Sequence, residues 1–313
     1  MKRLLITGAS GLLGLNTVLE AEQQFEVIGL SRSRNIQTSR FEWLTADLTT
    51  PGAVESIITQ GQPDWIIHCA ALTNLDVCES QPELAQRLNA EVPGEIAKAA
   101  RRAGARMVHI STDAVFDGSK GRYSEKDSPK PLGVYARTKL AGERAVIEAN
   151  PDCIIARVNM FGWSPSGHRS LAEFFFNNLS KDNPVNGFTD VFFSPLLVNH
   201  LAQILLRMLA EELNGLYHVF SSDAISKYHF GLAVAERFGL DGGLISPISV
   251  EDSGLKASRS PNLSMETGKL SFALGEQPPS IMAGVGAFHA LYQQEYPHRL
   301  QALISEIGEE LPN

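Results

Sequence analysis

The stretch Val134-Tyr135-Ala136-Arg137-Thr138-Lys139-Leu140 sets a phenol and an ammonium four residues apart. On a helix that spacing puts both side chains on one face. The chemistry they offer is proton transfer. A tyrosine serves at neutral pH once its pKa is drawn down from about 10, and a lysine cation beside it favours the phenolate. The alternative is a surface helix whose tyrosine packs and whose lysine is solvated. The run Asp127-Ser128-Pro129-Lys130-Pro131 just before it is hostile to helix, so a helix carrying the pair must begin after Pro131.

A second pattern lies at the amino end, in Thr7-Gly8-Ala9-Ser10-Gly11-Leu12-Leu13-Gly14, between an apolar strand and a helical pattern. Glycines at 8, 11 and 14 allow a tight turn, let a pyrophosphate approach amide donors, and let helix pack on strand. A dinucleotide is the ligand that this arrangement suits. The second apolar run ends Gly29-Leu30-Ser31-Arg32-Ser33-Arg34, where an acid for a ribose 2'-hydroxyl is absent and a hydroxyl and guanidiniums stand instead. Those groups suit a 2'-phosphate, so NADPH is expected, with NADH as the alternative. Asp47 and Leu48, closing the third run, are expected to flank the adenine.

Positioning such residues requires a parallel sheet covered on both faces. Short apolar runs at 3–7, 26–31, 42–46, 65–69, 107–111 and 154–158 predict strands, and helical periodicity at 12–22, 53–60, 92–103 and 134–148 alternates with them. The fold class expected is α/β, a Rossmann-like doubly wound sheet with the ligand crevice at the carboxyl ends of its strands. The pattern changes after Gly162. Residues 1–162 are expected to form the cofactor-binding domain and 163–313 a smaller, partly interleaved substrate domain, with part of 187–222 returning to the first. Helices are predicted at 171–179, 194–209 and 284–311, the last interrupted at Pro297, and a late strand at 215–220.

Bulk properties narrow the partners. The 313 residues carry a net charge of -8, with 43% hydrophobic and 20% charged residues, as in an ordinary soluble globule. That balance argues against nonspecific nucleic-acid binding and for small-molecule ligands. Cys69, Cys78 and Cys153 lack metal-ligand or CxxC spacing and read as reduced thiols of a cytoplasmic protein, with no metal site expected. The basic, then apolar start breaks at Gly8, unlike a signal peptide, and no run is long enough to span a bilayer.

Three blocks together carry a resemblance: the Gly8/Gly11/Gly14 turn, Tyr135 and Lys139 as YxxxK, and Ser111-Thr112-Asp113. They resemble extended short-chain dehydrogenases/reductases. More narrowly, Ser111-Thr112-Asp113-Ala114-Val115-Phe116-Asp117-Gly118 and Tyr135-Ala136-Arg137-Thr138-Lys139-Leu140-Ala141-Gly142-Glu143 are similar to the dTDP-4-dehydrorhamnose reductase family. The likeness continues loosely through Gly215-Leu216-Tyr217-His218-Val219 and Arg259-Ser260-Pro261-Asn262-Leu263-Ser264-Met265.

The resemblance implies an NADPH-dependent reductase of a 4-keto-6-deoxy nucleotide sugar. It implies Tyr135 as proton donor, Lys139 as the group that lowers its pKa and holds the nicotinamide ribose, Thr112 as a donor to the carbonyl oxygen, and Asn89 as a residue of a proton-relay water. Ser10, Leu12, Leu13, Cys69, Ala70 and Ala71 would join the cofactor site, and Thr73, Asp113, Ala114, Val115, Phe161 and Arg259 the sugar-nucleotide site. His68 is expected as a packed histidine. Arg157, Arg169 and Lys256 are further candidates for the substrate phosphates. A homodimer is compatible with the family.

Ala114 departs from the family, which has an aromatic there, so a reshaped sugar pocket is expected. Two rivals remain: a nucleotide-sugar epimerase or dehydratase, and a non-catalytic NADP-binding regulatory subunit resembling that of methionine adenosyltransferase. Dehydratases follow the threonine with Asp-Glu, and Asp113-Ala114 argues against that reading.

Overall fold

Alternation along each central strand sends successive side chains to opposite faces of one sheet. In β1 (Arg3–Thr7) Leu4 and Ile6 face one hydrophobic cluster and Leu5 the other. In β4 (Trp65–His68) Trp65 and Ile67 face the first and Ile66 the second. Both faces are therefore buried, the condition under which parallel strands are stable.

The computed structural model describes residues 1–32, 40–253 and 260–305. The first half runs β1, α1 (Leu12–Ala21), β2 (Glu26–Ser31), β3 (Glu42–Thr45), α2 (Ala53–Gly61), β4, α3 (Leu75–Ser80), α4 (Pro82–Gln86), a π-helical turn Arg87–Glu91, α5 (Val92–Ala103), β5 (Arg106–Thr112), α6 (Val134–Ala149) and β6 (Ile154–Val158). The second half adds β7 (Met160–Phe161), α7 (Leu171–Leu179), β8 (Val185–Phe188), β9 (Phe192–Phe193), β10 (Leu196–Leu197), α8 (Val198–Ala210), β11 (Gly215–Val219), β12 (Ile225–Ser226), α9 (Lys227–Phe238), β13 (Ile245–Ile248), β14 (Asn262–Leu263), α10 (Gly268–Leu274), α11 (Ile281–Gln293) and α12 (Tyr296–Ser305).

Seven strands form a sheet in the order β11-β6-β5-β4-β1-β2-β3, with every pairing parallel. The α/β doubly wound class expected from the sequence is the observed one. Strand order reverses between β1 and β4, which places the crevice at the carboxyl ends of those strands. The late strand β11 pairs with β6 and so extends the first-half sheet from the second half of the chain. Helices α2, α5 and α6 supply the cluster on one face. Helices α1 and α8, with most of the second half, supply the other.

Two boundaries differ from the periodicity for identifiable reasons. The helix predicted from 194 starts at Val198, because Pro195 offers no N–H and Leu196 and Leu197 pair with Met160 and Phe161. The helix predicted from 92 is the end of a run that begins at Pro82 and widens into the π turn at Arg87–Glu91. Pro93 has no N–H for the carbonyl of Asn89 four residues before it. Pro297 lies in the first turn of α12, where proline is tolerated. Among the described residues no helix is long and apolar enough to cross a membrane, and none of the His, Cys, Asp and Glu clusters could hold a metal ion.

Candidate active site

The glycine-rich turn joins β1 to α1 at the switch point. Gly8 adopts φ 65°, and a Cβ there would lie 2.7 Å from the Ala70 amide nitrogen. At Gly14 a Cβ would lie 2.2 Å from the Gly8 carbonyl. Both positions exclude every larger residue, and the turn closes with Gly11 N donating to Gly8 O at 2.9 Å. Gly11 caps α1 without a side-chain hydrogen bond, and no acid stands in the first turn. The amides at Leu12 and Leu13 thus open onto a cradle of glycine and Ser10 that matches a diphosphate.

Around this turn the carboxyl ends of the neighbouring strands bring in the other expected cofactor residues. Ser31 is buried at the end of β2 and accepts a hydrogen bond from Trp43 Nε1 at 3.1 Å, while Arg32 beyond it is exposed. Asp47 accepts from Thr49 N and Oγ1 at 2.8 and 2.7 Å; these bonds first, and the Arg32 charge more weakly, hold its carboxyl below the usual range. Leu48 beside it is buried. The turn Cys69-Ala70-Ala71 abuts Gly8, with Ala70 N donating to Thr7 Oγ1 at 3.2 Å. Burial pushes the Cys69 thiol up to about 12, so it is an inert wall rather than a nucleophile.

Thr112, Tyr135 and Lys139 converge beside the cradle, from the end of β5 and the first two turns of α6. Thr112 lies beside the Tyr135 phenol, accepts from Ala114 N at 3.1 Å and donates to Asp113 Oδ1 at 3.1 Å. Lys139 is buried and donates from Nζ to Ile110 O at 2.6 Å. Burial brings its ammonium down to about 8. The same effect pushes the Tyr135 phenol up to about 12, against the lowering expected from the lysine. Desolvation outweighs the opposing influence of the Thr112 hydroxyl on the phenol, and the Lys139 ammonium is directed to the Ile110 carbonyl.

Asn89 is fully buried in the π turn. Its amide oxygen accepts from Leu72 N at 2.8 Å, and its nitrogen donates to Leu72 O at 3.0 Å and Thr138 Oγ1 at 3.2 Å. The side chain therefore clamps the loop after β4 to α6.

The expected sugar-site residues divide. Asp113 is buried beside Thr112, with Asn159 Nδ2 donating to its Oδ2 at 2.6 Å; burial raises its carboxyl while Asn159, Thr112 and the Lys227 charge oppose the rise. Asn159 and Lys227 are additions that no spacing in the sequence connects to Asp113. Ala114 is half-buried and Thr73 exposed on the loop after β4. Val115 and Phe161 are instead core residues. Val115 joins Phe116, Tyr123, Leu140, Phe220 and Met265, and Phe161 makes edge contacts with Phe230 and Phe288. Hydrophobic burial claims both side chains.

Arg157, offered as a phosphate ligand, is buried in an ion pair with Glu143. Arg169 is exposed, and Arg259 and Lys256 lie outside the described residues. His68 is packed as expected, its Nδ1 2.6 Å from Thr7 Oγ1.

A parallel sheet with a glycine cradle at its switch point and a Thr/Tyr/Lys cluster beside it defines a dinucleotide-type α/β protein. The chain belongs to the family described as RmlD substrate binding domain, whose profile matches residues 1–294, that is, to the dTDP-4-dehydrorhamnose reductase family. It is 31% identical over 292 residues to the probable low-salt glycan biosynthesis reductase Agl14 of Haloferax volcanii, covering 92% of this chain and 97% of that one. It is 32% identical over 289 residues to methionine adenosyltransferase 2 subunit beta of Rattus norvegicus, covering 89% and 84%. The crystal structure of dTDP-4-dehydrorhamnose reductase from Bacillus anthracis in complex with NADP superposes with a TM-score of 0.82 at 26% identity, covering 92% of this chain and 99% of that one.

Proposed function

We propose that the protein is an NADPH-dependent reductase of a 4-keto-6-deoxy nucleotide sugar. The observation that carries the reading is the convergence of Thr112, Tyr135 and Lys139 next to the Gly8–Gly14 cradle. The cradle fits a dinucleotide diphosphate: without Cβ atoms at 8 and 14 the turn packs against Ala70 and the Gly8 carbonyl, and the amides that open α1 are uncapped by any side chain. NADPH, when bound, supplies hydride to the carbonyl carbon.

The chain's part is to manage the charge that then builds on the carbonyl oxygen. Thr112 and Tyr135 orient that oxygen, and Tyr135 donates the proton that completes the alcohol. Lys139, still cationic up to about pH 8 despite its burial, stabilises the phenolate left behind and offers its ammonium to the cofactor ribose. Asn89 keeps the loop after β4 against α6, so the two halves of the cluster stay in register. Asp113, with Asn159 and Lys227, faces the sugar. Arg32 is the residue for a 2'-phosphate.

The relationship to methionine adenosyltransferase 2 subunit beta supports a second reading, a regulatory subunit that binds the cofactor without turnover. A dehydratase is disfavoured by Ala114, which leaves no second carboxylate after Asp113. The test is single-turnover NADPH oxidation with a panel of 4-keto-6-deoxy nucleotide sugars. A member of the panel should be reduced, and Tyr135→Phe should slow that step about 10²–10⁴-fold while NADPH still binds. No oxidation with any of them, joined to stimulation of a methionine adenosyltransferase, would establish the regulatory reading instead.

A further inference from the structure

Helix α6 carries a third functional-group residue in line with the pair that opens it. Tyr135, Lys139 and Glu143 follow one another at intervals of four, so each stacks on the next along one face. Glu143 is buried, and three donors hold its carboxylate. Arg157 on β6 reaches it from Nε at 2.9 Å and Nη2 at 2.7 Å, and Ser111 Oγ on β5 donates at 2.5 Å. Arg157 is itself held, 5.0 Å from the Phe116 ring, with its Nη1 3.5 Å from His218 Nε2 on β11. His218 Nδ1 lies 3.1 Å from Tyr123 O, so the neutral ring donates there and accepts from the guanidinium.

We propose that Glu143, fixed by Arg157 and Ser111, is the positioning residue and counter-charge that keeps the buried Lys139 ammonium protonated. The inference deepens the proposed reductase site, and its mechanistic meaning rests on that reading.

Burial alone removes the charge from a lysine. The other titratable groups facing Lys139 do not replace Glu143 at neutral pH. From β4 and its turn come His68 and Cys69, and from β5 His109; burial keeps the histidines neutral and the thiol protonated. Tyr135 on α6 is likewise protonated, and Asp113, after β5, faces Tyr135 and Asn159. Asp76, Glu79, Glu91 and Glu95, from the α3 to α5 side, are exposed. Glu143 is the main charge opposing the fall of Lys139. A lone buried carboxylate would be costly, and the bidentate guanidinium together with the Ser111 hydroxyl makes it tolerable in one rotamer.

The test reads the charge of Lys139 without turnover, so it is decided whether or not the reductase reading holds. With lysine labelled at 13Cε, NMR titration follows the Lys139 signal, assigned by its loss in Lys139→Met. In Glu143→Gln the midpoint should fall by about one to two pH units, the shift expected for losing a charge one helical turn away. The double variant Glu143→Gln/Arg157→Met leaves no unpaired buried charge and covers the case in which the single variant does not fold; its midpoint should also fall, by less than in the single variant because the Arg157 cation is lost with the carboxylate. If turnover is found, the alkaline limb of its pH profile should move down in parallel. A midpoint unmoved in the folded variants, with only thermal stability reduced, would overturn the proposal and leave Glu143 a structural residue.

Discussion

At the scale of single residues, selectivity and proton transfer are separable. Arg32 is exposed at the end of β2 with no role in the Thr112, Tyr135 and Lys139 cluster. If it grips a 2'-phosphate, NADPH should bind more tightly than NADH. Arg32→Ala should then narrow the difference by about 1.5–3 kcal/mol, the worth of a charged hydrogen bond, with binding of NADH hardly changed. Titration calorimetry on the two cofactors decides this, and equal affinities in the parent would remove Arg32 from the site. The YxxxK spacing of Tyr135 and Lys139 was legible in the sequence because a helix turns spacing into proximity. The direction of the phenol's shift was not legible. It depends on how much water the folded chain excludes from that position, and burial carries the phenol upward.

At the scale of elements, the site depends on how closely α6 approaches the π turn. A Cβ at Gly142 would stand 2.1 Å from the Asn89 carbonyl, which is backbone and cannot swing aside. Gly142→Ala should force the helix outward, carrying Lys139 away from Ile110 and loosening the Asn89 clamp on Leu72. We expect a loss of about 1–3 kcal/mol in urea unfolding, as for other overpacked sites, together with a fall in turnover exceeding any change in NADPH affinity. Unaltered unfolding and turnover would show that the interface has slack. The run from Pro82 to Ala103 explains why this contact was invisible beforehand. Its periodicity announced only the helix after Val92, since a widened turn breaks the period that sequence reading relies on.

At the scale of the whole molecule, the buried histidines link stability to pH. His68 and His218 are held neutral down to about 3, first by burial and then by the Lys139 and Arg157 charges respectively, and His109 is lowered in the same direction. Unfolding returns each to its ordinary value near 6.5. Below that value the unfolded chain binds more protons than the native one, so stability falls with pH. Urea unfolding at pH 7 and pH 5 should differ by about 2 kcal/mol for each such histidine, and His109→Gln should remove one increment. A pH-independent unfolding free energy over that interval would contradict the burial of these rings.

The sequence by itself determined the parallel sheet, the glycine turn and the spacing of Tyr135 and Lys139, because these are local consequences of side-chain period and missing Cβ atoms. Only the tertiary structure decided that Val115 and Phe161 belong to the core, that Arg157 serves Glu143 rather than a ligand, and that Asn159 meets Asp113. Residues far apart in the chain become partners through strand order and burial, and neither is written in any one segment.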